Sequence, residues 1–243
     1  MTEKVVYFSG CYANYFDPQI GVAFVEVMEA NGIEVLVAEQ KCCGLPVMSN
    51  GDVGGAKRNF NSIVQSLSRM AAPDLDIVTT CPSCNFMLKK EGLAFFDSEE
   101  ARLVSSRTWD APQYLVRLFR QGRLNTGFRE MPLKVLYHNP CHLKVQGIRR
   151  ESVALLELIP GVGVSKVVDS CCGMGGSYGM KAAHYELSVK IARKLWREIE
   201  EAEVDRVVTE CGTCMLQIEA RQKAKKAVHP IVLVNDAYKG GCR

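Results

Sequence analysis

Eleven of the 243 residues are cysteines, and they carry the plainest chemical signal in the chain. They stand at Cys11, Cys42, Cys43, Cys81, Cys84, Cys141, Cys171, Cys172, Cys211, Cys214 and Cys242. A lone cysteine is most often a small buried apolar residue, but packing calls for neither an adjacent C-C pair nor a C-x-x-C pair. Reducing compartments keep thiols free, so disulfides explain this number poorly. Ligation of a metal or an inorganic cluster is the leading reading.

The spacing repeats. The first five cysteines are separated by 31, 1, 38 and 3 positions, the next five by 30, 1, 39 and 3, and each maps onto its counterpart at an offset of 129 or 130. The flanks repeat as well. KVVYFSGC ending at Cys11 matches KVLYHNPC ending at Cys141. KCCGLP (41–46) matches SCCGMG (170–175), and DIVTTCPSC ending at Cys84 matches RVVTECGTC ending at Cys214. An internal duplication of about 130 residues accounts for all of this and leaves Cys242 without a twin, so Cys242 is read as a non-ligand.

A tetrahedral zinc site takes four ligands, one fewer than each half offers. Adjacent thiols such as Cys42 and Cys43 reach one small ion from the same side only where the backbone turns sharply, and Gly44 and Gly173 permit such a turn. A multi-iron core accepts both thiolates. The ordinary ferredoxin pattern C-x-x-C-x-x-C-x-x-x-C-P is absent. A redox dithiol needs only two sulfurs and would leave Cys11, Cys42 and Cys43 unexplained. Iron–sulfur ligation is favoured, with zinc in at least one half and redox dithiols as alternatives.

The elements that position these cysteines read alike in both halves. Val5 to Phe8 and Val135 to Tyr137 are short apolar runs bounded by Gly or Pro, hence buried strands. Ile20 to Ala30 is amphipathic and stops at Asn31-Gly32. Ile33 to Val37 is a further strand leading to Cys42-Cys43. Helices are expected near Ala56 to Met70 and Ala183 to Glu201. Ile77 to Thr79 and Val207 to Thr209 read as strands running into the C-x-x-C pairs. Strands alternating with helices predict an α/β fold of two pseudo-symmetric parallel-sheet units, at 1–107 and 133–243, joined by a connector over 108–132 that contains a helix at Ala111 to Arg120. Ligands of open α/β sheets sit beyond the carboxyl ends of the strands, where Cys11, Cys81, Cys141 and Cys211 fall.

Composition bounds the rest. At 47% hydrophobic and 23% charged residues, with 20 Gly and 9 Pro, the chain is neither disordered nor collagen-like. Thirty basic against 27 acidic residues give a net charge of +3, which demands no nucleic-acid partner. No stretch approaches the roughly 20 apolar residues of a membrane helix, and the first residues hold too short an apolar run for a signal peptide. A cytoplasmic protein is expected, peripheral to the inner face of the membrane if partners hold it there.

The pattern C-x30-C-C-G-x36-C-x-x-C, repeated with one-residue shifts as C-x29-C-C-G-x37-C-x-x-C, resembles the cysteine-rich CCG domain. That domain occurs in the B subunit of heterodisulfide reductase, in the C subunit of anaerobic glycerol-3-phosphate dehydrogenase and in glycolate and lactate oxidation complexes. The stretches FSGCYANYFDPQIG, KCCGLPVMSNG, PLKVLYHNPCHLK and DSCCGMGGSYG look closest to the glycerol-3-phosphate dehydrogenase subunit. The resemblance implies a noncubane [4Fe-4S] cluster in each unit, one held by Cys11, Cys42, Cys43, Cys81 and Cys84, the other by Cys141, Cys171, Cys172, Cys211 and Cys214. It implies no flavin or nucleotide on this chain. It further implies an oxidoreductase subunit that receives electrons from a ferredoxin-like [4Fe-4S] subunit and a flavoprotein. The acceptor would be a disulfide or a quinone, or a membrane quinone-reactive partner if the chain is a relay. The ferredoxin-like domain of the glycerol-3-phosphate dehydrogenase type is not seen in this sequence, so those electrons are expected from a separate chain.

Weaker signals stand beside these. Gly175 to Gly179 fits the G-x-S-x-G elbow without a recognisable acid and histidine, and reads better as a glycine-rich wrap than as a nucleophilic Ser177. His138 and His142 are four apart, but Pro140 lies between them. His142 is therefore expected beside Cys141 as a hydrogen-bond or proton donor rather than as half of a metal pair. Lys41, Lys89, Lys90 and Lys181 flank cysteines and are expected to offset thiolate charge. The run Arg221 to Lys226 reads as a solvated helix face.

Overall fold

A computed structural model describes residues 3–39, 41–71, 74–222 and 225–240; Cys242 and part of the basic run, Lys223 and Ala224, lie outside the described residues. The chain divides into two compact units, with the boundary between Asn125 and Thr126.

Unit 1 runs β1 (Glu3–Phe8), α1 (Gly10–Tyr15), α2 (Pro18–Ala30), β2 (Ile33–Val37), α3 (Leu45–Ser49), α4 (Val53–Ala71), β3 (Asp76–Thr79), α5 (Pro82–Phe86), a π-helical turn (Met87–Glu91), α6 (Gly92–Phe96), α7 (Glu99–Arg107), β4 (Thr108–Asp110) and α8 (Ala111–Arg120). Its sheet is all parallel, in the order β2-β1-β3-β4. Val5, Val6, Tyr7 and Phe8 are buried on both faces of β1, as the unbroken apolar run requires of an inner parallel strand. In α2, Pro18 occupies the first turn, where its missing N–H costs nothing. Ile20, Ala23, Phe24, Val27 and Met28 form the buried stripe, and Gly32 with φ 71° follows the helix end.

Unit 2 runs β5 (Leu133–His138), α9 (Cys141–Lys144), α10 (Glu151–Leu156), β6 (Val162–Val168), α11 (Tyr185–Glu200), β7 (Arg206–Val208), α12 (Gly212–Arg221), β8 (Ala227–Val228) and α13 (Pro230–Lys239), with short 3-10 turns over 178–184. Its sheet is again all parallel, in the order β6-β5-β7-β8. The two sheets therefore share one topology, as a duplicated sequence demands.

The stretch 108–132, expected as a connector, contributes β4 and α8 to the first unit. β4 pairs with β3 through Ile77–Thr108, Val78–Trp109 and Thr79–Asp110. The helix at Ala111–Arg120 is present with the expected ends, and Tyr114, Leu115, Val116 and Leu118 are buried. Burial of that apolar face ties the segment into the first core. Of the basic run after α12, Lys225 is turned inward, its Nζ donating to the Ile199 carbonyl at 2.8 Å.

Candidate functional site

All ten repeated cysteines hang from the carboxyl ends of three of the four strands in their sheets. Cys11 follows β1 and enters α1, Cys42 and Cys43 follow β2, and Cys81 follows β3 at the N-terminal cap of α5, with Cys84 inside that helix. In unit 2 Cys141 follows β5 and opens α9, Cys171 and Cys172 follow β6, and Cys211 caps α12, which contains Cys214. Parallel sheets gather ligands at this edge because every strand ends there and the loops are free to vary.

The glycine of each C-C-G is fixed by sterics. Gly44 has φ 95°, and a β-carbon on it would lie 2.9 Å from the Ala56 carbonyl oxygen of α4. Gly173 has φ 84°, and its β-carbon would meet the Ser188 carbonyl oxygen of α11 closer still. Only glycine allows both the left-handed turn and the close approach. The turn brings backbone amides onto sulfur: Gly44 N–H donates to Cys42 Sγ at 3.5 Å and Gly173 N–H to Cys171 Sγ at 3.3 Å. Gly10, at φ 67°, shapes the site from the other side, because a β-carbon there would sit 2.7 Å from Cys84 Sγ. Pro140 holds the corresponding place before Cys141.

In unit 1 the five thiols are electrostatically coupled to one another in the order Cys11–Cys42–Cys43–Cys84–Cys81. Cys42 is held well below the usual thiol range because Cys11 and then Cys43 donate to it. Cys11 and Cys43 are pushed up, chiefly because they donate to Cys42. Cys81 is lowered by donation from Cys84, and Cys84 is raised by its bonds to Cys43 and Cys81. In unit 2 the series is Cys171–Cys172–Cys214–Cys211, with Cys214 Sγ 3.2 Å from Cys172 Sγ. Cys172 is lowered by donation from Cys171 and Cys214. Cys211 Sγ also lies 3.2 Å from Thr213 Oγ1. Cys141 stands at the rim. It is exposed, raised first by desolvation and then by the charges of Cys211 and Cys172.

These patterns have one physical cause. Thiols this close cannot all ionise together unless cationic charge lies among them. Among the described residues no three or more His, Cys, Asp or Glu side chains are arranged around a single-ion centre. An all-sulfur donor set of five exceeds the four positions of one tetrahedral ion and suits a polynuclear iron core.

The two units differ in what lines the sulfurs. His138 ends β5 buried, with Nδ1 3.2 Å from Thr209 Oγ1 and Nε2 3.0 Å from the Ser170 carbonyl oxygen. Both ring nitrogens are thus engaged, which removes the i, i+4 pairing with His142. His142 sits half-buried on α9, and desolvation lowers its pKa against an opposing pull from Cys172. Glu210, between β7 and Cys211, escaped the sequence reading. It is 1% exposed, accepts from Tyr137 Oη at 3.0 Å and from Ser152 Oγ, and burial pushes its pKa up to about 7. The repeat carried the signal for it: T-E-C-G-T-C in unit 2 stands against T-T-C-P-S-C in unit 1, where Thr80 bonds Tyr7 Oη at 2.9 Å.

Two of the flanking cations are tied up elsewhere. Lys89 Nζ donates to the Thr108 carbonyl at 2.7 Å and lies 5.1 Å from the centre of the Trp109 ring. The π-helical turn that follows α5 carries Lys89 toward β4. Lys41 Nζ donates to Ser62 Oγ at 3.0 Å. Gly175 and Gly176, at φ 52° and 69°, wrap the loop around Ser177, and Gly179 N–H closes it on the Met174 carbonyl at 2.8 Å.

The family model of the CCG cysteine-rich domain matches the chain twice, over residues 5–89 and 135–219. The C subunit of anaerobic glycerol-3-phosphate dehydrogenase of Escherichia coli is 33% identical over 237 residues, covering 97% of this chain and 59% of that protein. The B subunit of fumarate reductase (CoM/CoB) of Methanothermobacter marburgensis is 30% identical over 233 residues, covering 89% of this chain and 42% of that protein. Lactate utilization protein A of Geobacillus thermodenitrificans is 28% identical over 228 residues, covering 90% of this chain and 91% of that protein. The chain thus spans about three fifths of the glycerol-3-phosphate dehydrogenase subunit and most of the lactate utilization protein. Two matched stretches, each carrying the full set of five cysteines at the carboxyl edge of a parallel sheet, make this chain a member of the cysteine-rich CCG domain family.

Proposed function

We propose that the chain is the iron–sulfur electron-transfer subunit of a multi-subunit oxidoreductase, and that each unit binds one [4Fe-4S] cluster, noncubane in type. Cys11, Cys42, Cys43, Cys81 and Cys84 hold the first, and Cys141, Cys171, Cys172, Cys211 and Cys214 the second. The observation that carries the reading is the placement of five cysteines beyond the carboxyl ends of the strands in each parallel sheet, within the two stretches that match the CCG domain. When bound, such clusters supply one-electron transfer. The protein's own part is to hold the sulfurs, to aim the Gly44 and Gly173 amides at them, and to set the His138 and His142 side chains within the field of Cys172.

Electrons arrive from a flavoprotein through a ferredoxin-like subunit and leave to a two-electron acceptor of disulfide or quinone type, as in heterodisulfide reductase. A plain relay within a flavin-dependent dehydrogenase is the second reading, favoured by the names of the glycerol-3-phosphate and lactate relatives. A zinc scaffold ranks below both, since each half offers five cysteines against the four ligands of a tetrahedral zinc site.

The test is metal analysis of chain prepared without oxygen. About eight iron and eight acid-labile sulfide per chain supports two clusters, whereas zinc without iron overturns them. Cys43→Ser should alter the iron count and electron paramagnetic signal of the first unit while the second keeps its own. Reduction of an artificial disulfide by viologen-reduced chain separates the acceptor-reducing subunit from the relay.

A further inference from the structure

The duplication supplies an internal control for surface chemistry. α4 and α11 each pack against the glycine of their own C-C-G, Gly44 on Ala56 and Gly173 on Ser188. Set in that register, the buried faces agree: Ala56, Phe60, Ile63 and Leu67 in α4 correspond to Ser188, Ala192, Leu195 and Ile199 in α11. The flanks of those faces do not agree. Buried Gly55 and half-buried Asn59 of α4 correspond to Leu187 and Ile191 of α11, which are 49% and 41% exposed. Asn61, Ser62 and Gln65 correspond to Arg193, Lys194 and Arg197, all exposed.

With Lys181 and Lys190, the second face presents five exposed cations and one acid, Glu186, between residues 181 and 197. Among the described residues none of these five cations forms an ion pair. Tyr185 and Met180, 60% and 51% exposed, add apolar surface at the N-terminal end of the same helix. The sibling helix carries no apolar side chain at the positions of Leu187 and Ile191. Exposed apolar side chains rimmed by one sign of charge mark a docking surface.

We propose that this face of α11 docks an acidic one-electron carrier protein, which delivers its electrons to the second site. The unpaired cations select a partner of opposite charge, and Leu187 with Ile191 supplies the apolar centre. A protein carrier is favoured over an anionic membrane by position: Ser188, next to Leu187, is the residue whose carbonyl packs under Gly173. A carrier seated here lies against the C-C-G loop. The proposal rests on the electron-transfer reading above.

The probe is an acidic plant-type ferredoxin, tested against anaerobically purified chain in two assays: calorimetric binding of its oxidised form, and stopped-flow electron delivery from its reduced form beside delivery from reduced methyl viologen. Lys190→Glu with Lys194→Glu should slow delivery from ferredoxin about tenfold or more and flatten its salt dependence. Leu187→Ser with Ile191→Ser should weaken binding with the salt dependence kept. Viologen rates should not change, and Arg58→Glu on α4 should have no effect. Unchanged ferredoxin binding and rate in both double variants overturns the proposal. So does equal slowing with viologen, or lost binding to phosphatidylglycerol vesicles with ferredoxin delivery intact. If the chain takes up no iron, the electron-transfer reading falls, while ferredoxin binding still reports on the docking surface.

Discussion

The backbone carbonyl of Ser188 occupies the space a β-carbon on Gly173 would need, and Ala56 stands toward Gly44 in the same way but more loosely, at 2.9 Å. A helix thus locks each adjacent cysteine pair through a residue that is not itself a ligand. Gly173→Ala should cost about 2–4 kcal/mol, from the left-handed backbone together with overpacking against helix backbone. Gly44→Ala, with the looser contact, should cost less. Urea denaturation of each variant beside the parent checks the order, and equal losses would sink this account.

Gly10 leads to a different expectation. A methyl group there meets Cys84 Sγ rather than backbone, so Gly10→Ala should disturb the first sulfur set more than the fold. Iron bound per chain should fall by about half, since the second unit has Pro140 at this place and is untouched. Retention of full iron would show that the first set has room to spare.

Removing the metal should expose the unequal sulfurs. In iron-free chain, brief alkylation read by mass spectrometry should label Cys42 first within unit 1, because it is half-buried and the most easily ionised of its set. Buried Cys43, Cys84 and Cys214 should label last. Loaded chain should be protected at all ten positions. Labelling of Cys84 ahead of Cys42 would contradict the series of contacts.

His138 gives the pH dependence a sign. Burial lowers its pKa below the ordinary 6.5, so between the two values the unfolded chain binds the extra proton. Stability from this residue is therefore complete above about pH 6.5 and is lost as pH falls toward and through the folded value. Phe8 stands at the matching position of unit 1. His138→Phe should lower stability at neutral pH by about 1–3 kcal/mol, from the unpaired Thr209 hydroxyl and Ser170 carbonyl. Its acid sensitivity between about pH 7 and 5 should be weaker than the parent's. Urea midpoints across that range decide it, and parallel pH curves would refute the assignment.

Most of the scaffold was legible because parallel strands announce themselves. Val5–Phe8 and Ile77–Thr79 are unbroken apolar runs that stop just before cysteines, so the ligand edge could be placed from the sequence. β4 was not legible. Thr108-Trp109-Asp110 is too short and too polar to read as a strand, and it becomes one by pairing with Ile77 to Thr79. Lys89 was misplaced for a related reason: the π-helical turn after α5 shifts the face it presents, and no residue pattern marks such a turn. Glu210 went unnoticed because a single acid beside a cysteine says nothing of burial, which comes from Tyr137 on β5 and Ser152 on α10 closing over it.

The division between an apolar sheet below and sulfur-bearing loops above has a consequence for how such a chain diversifies. Both units keep one sheet topology while one copy carries the hydroxyl of Thr80 where the other has the carboxyl of Glu210, and the ring of Phe8 where the other has the imidazole of His138. Gene doubling here yields two sockets on one chassis, each open to separate electrochemical tuning.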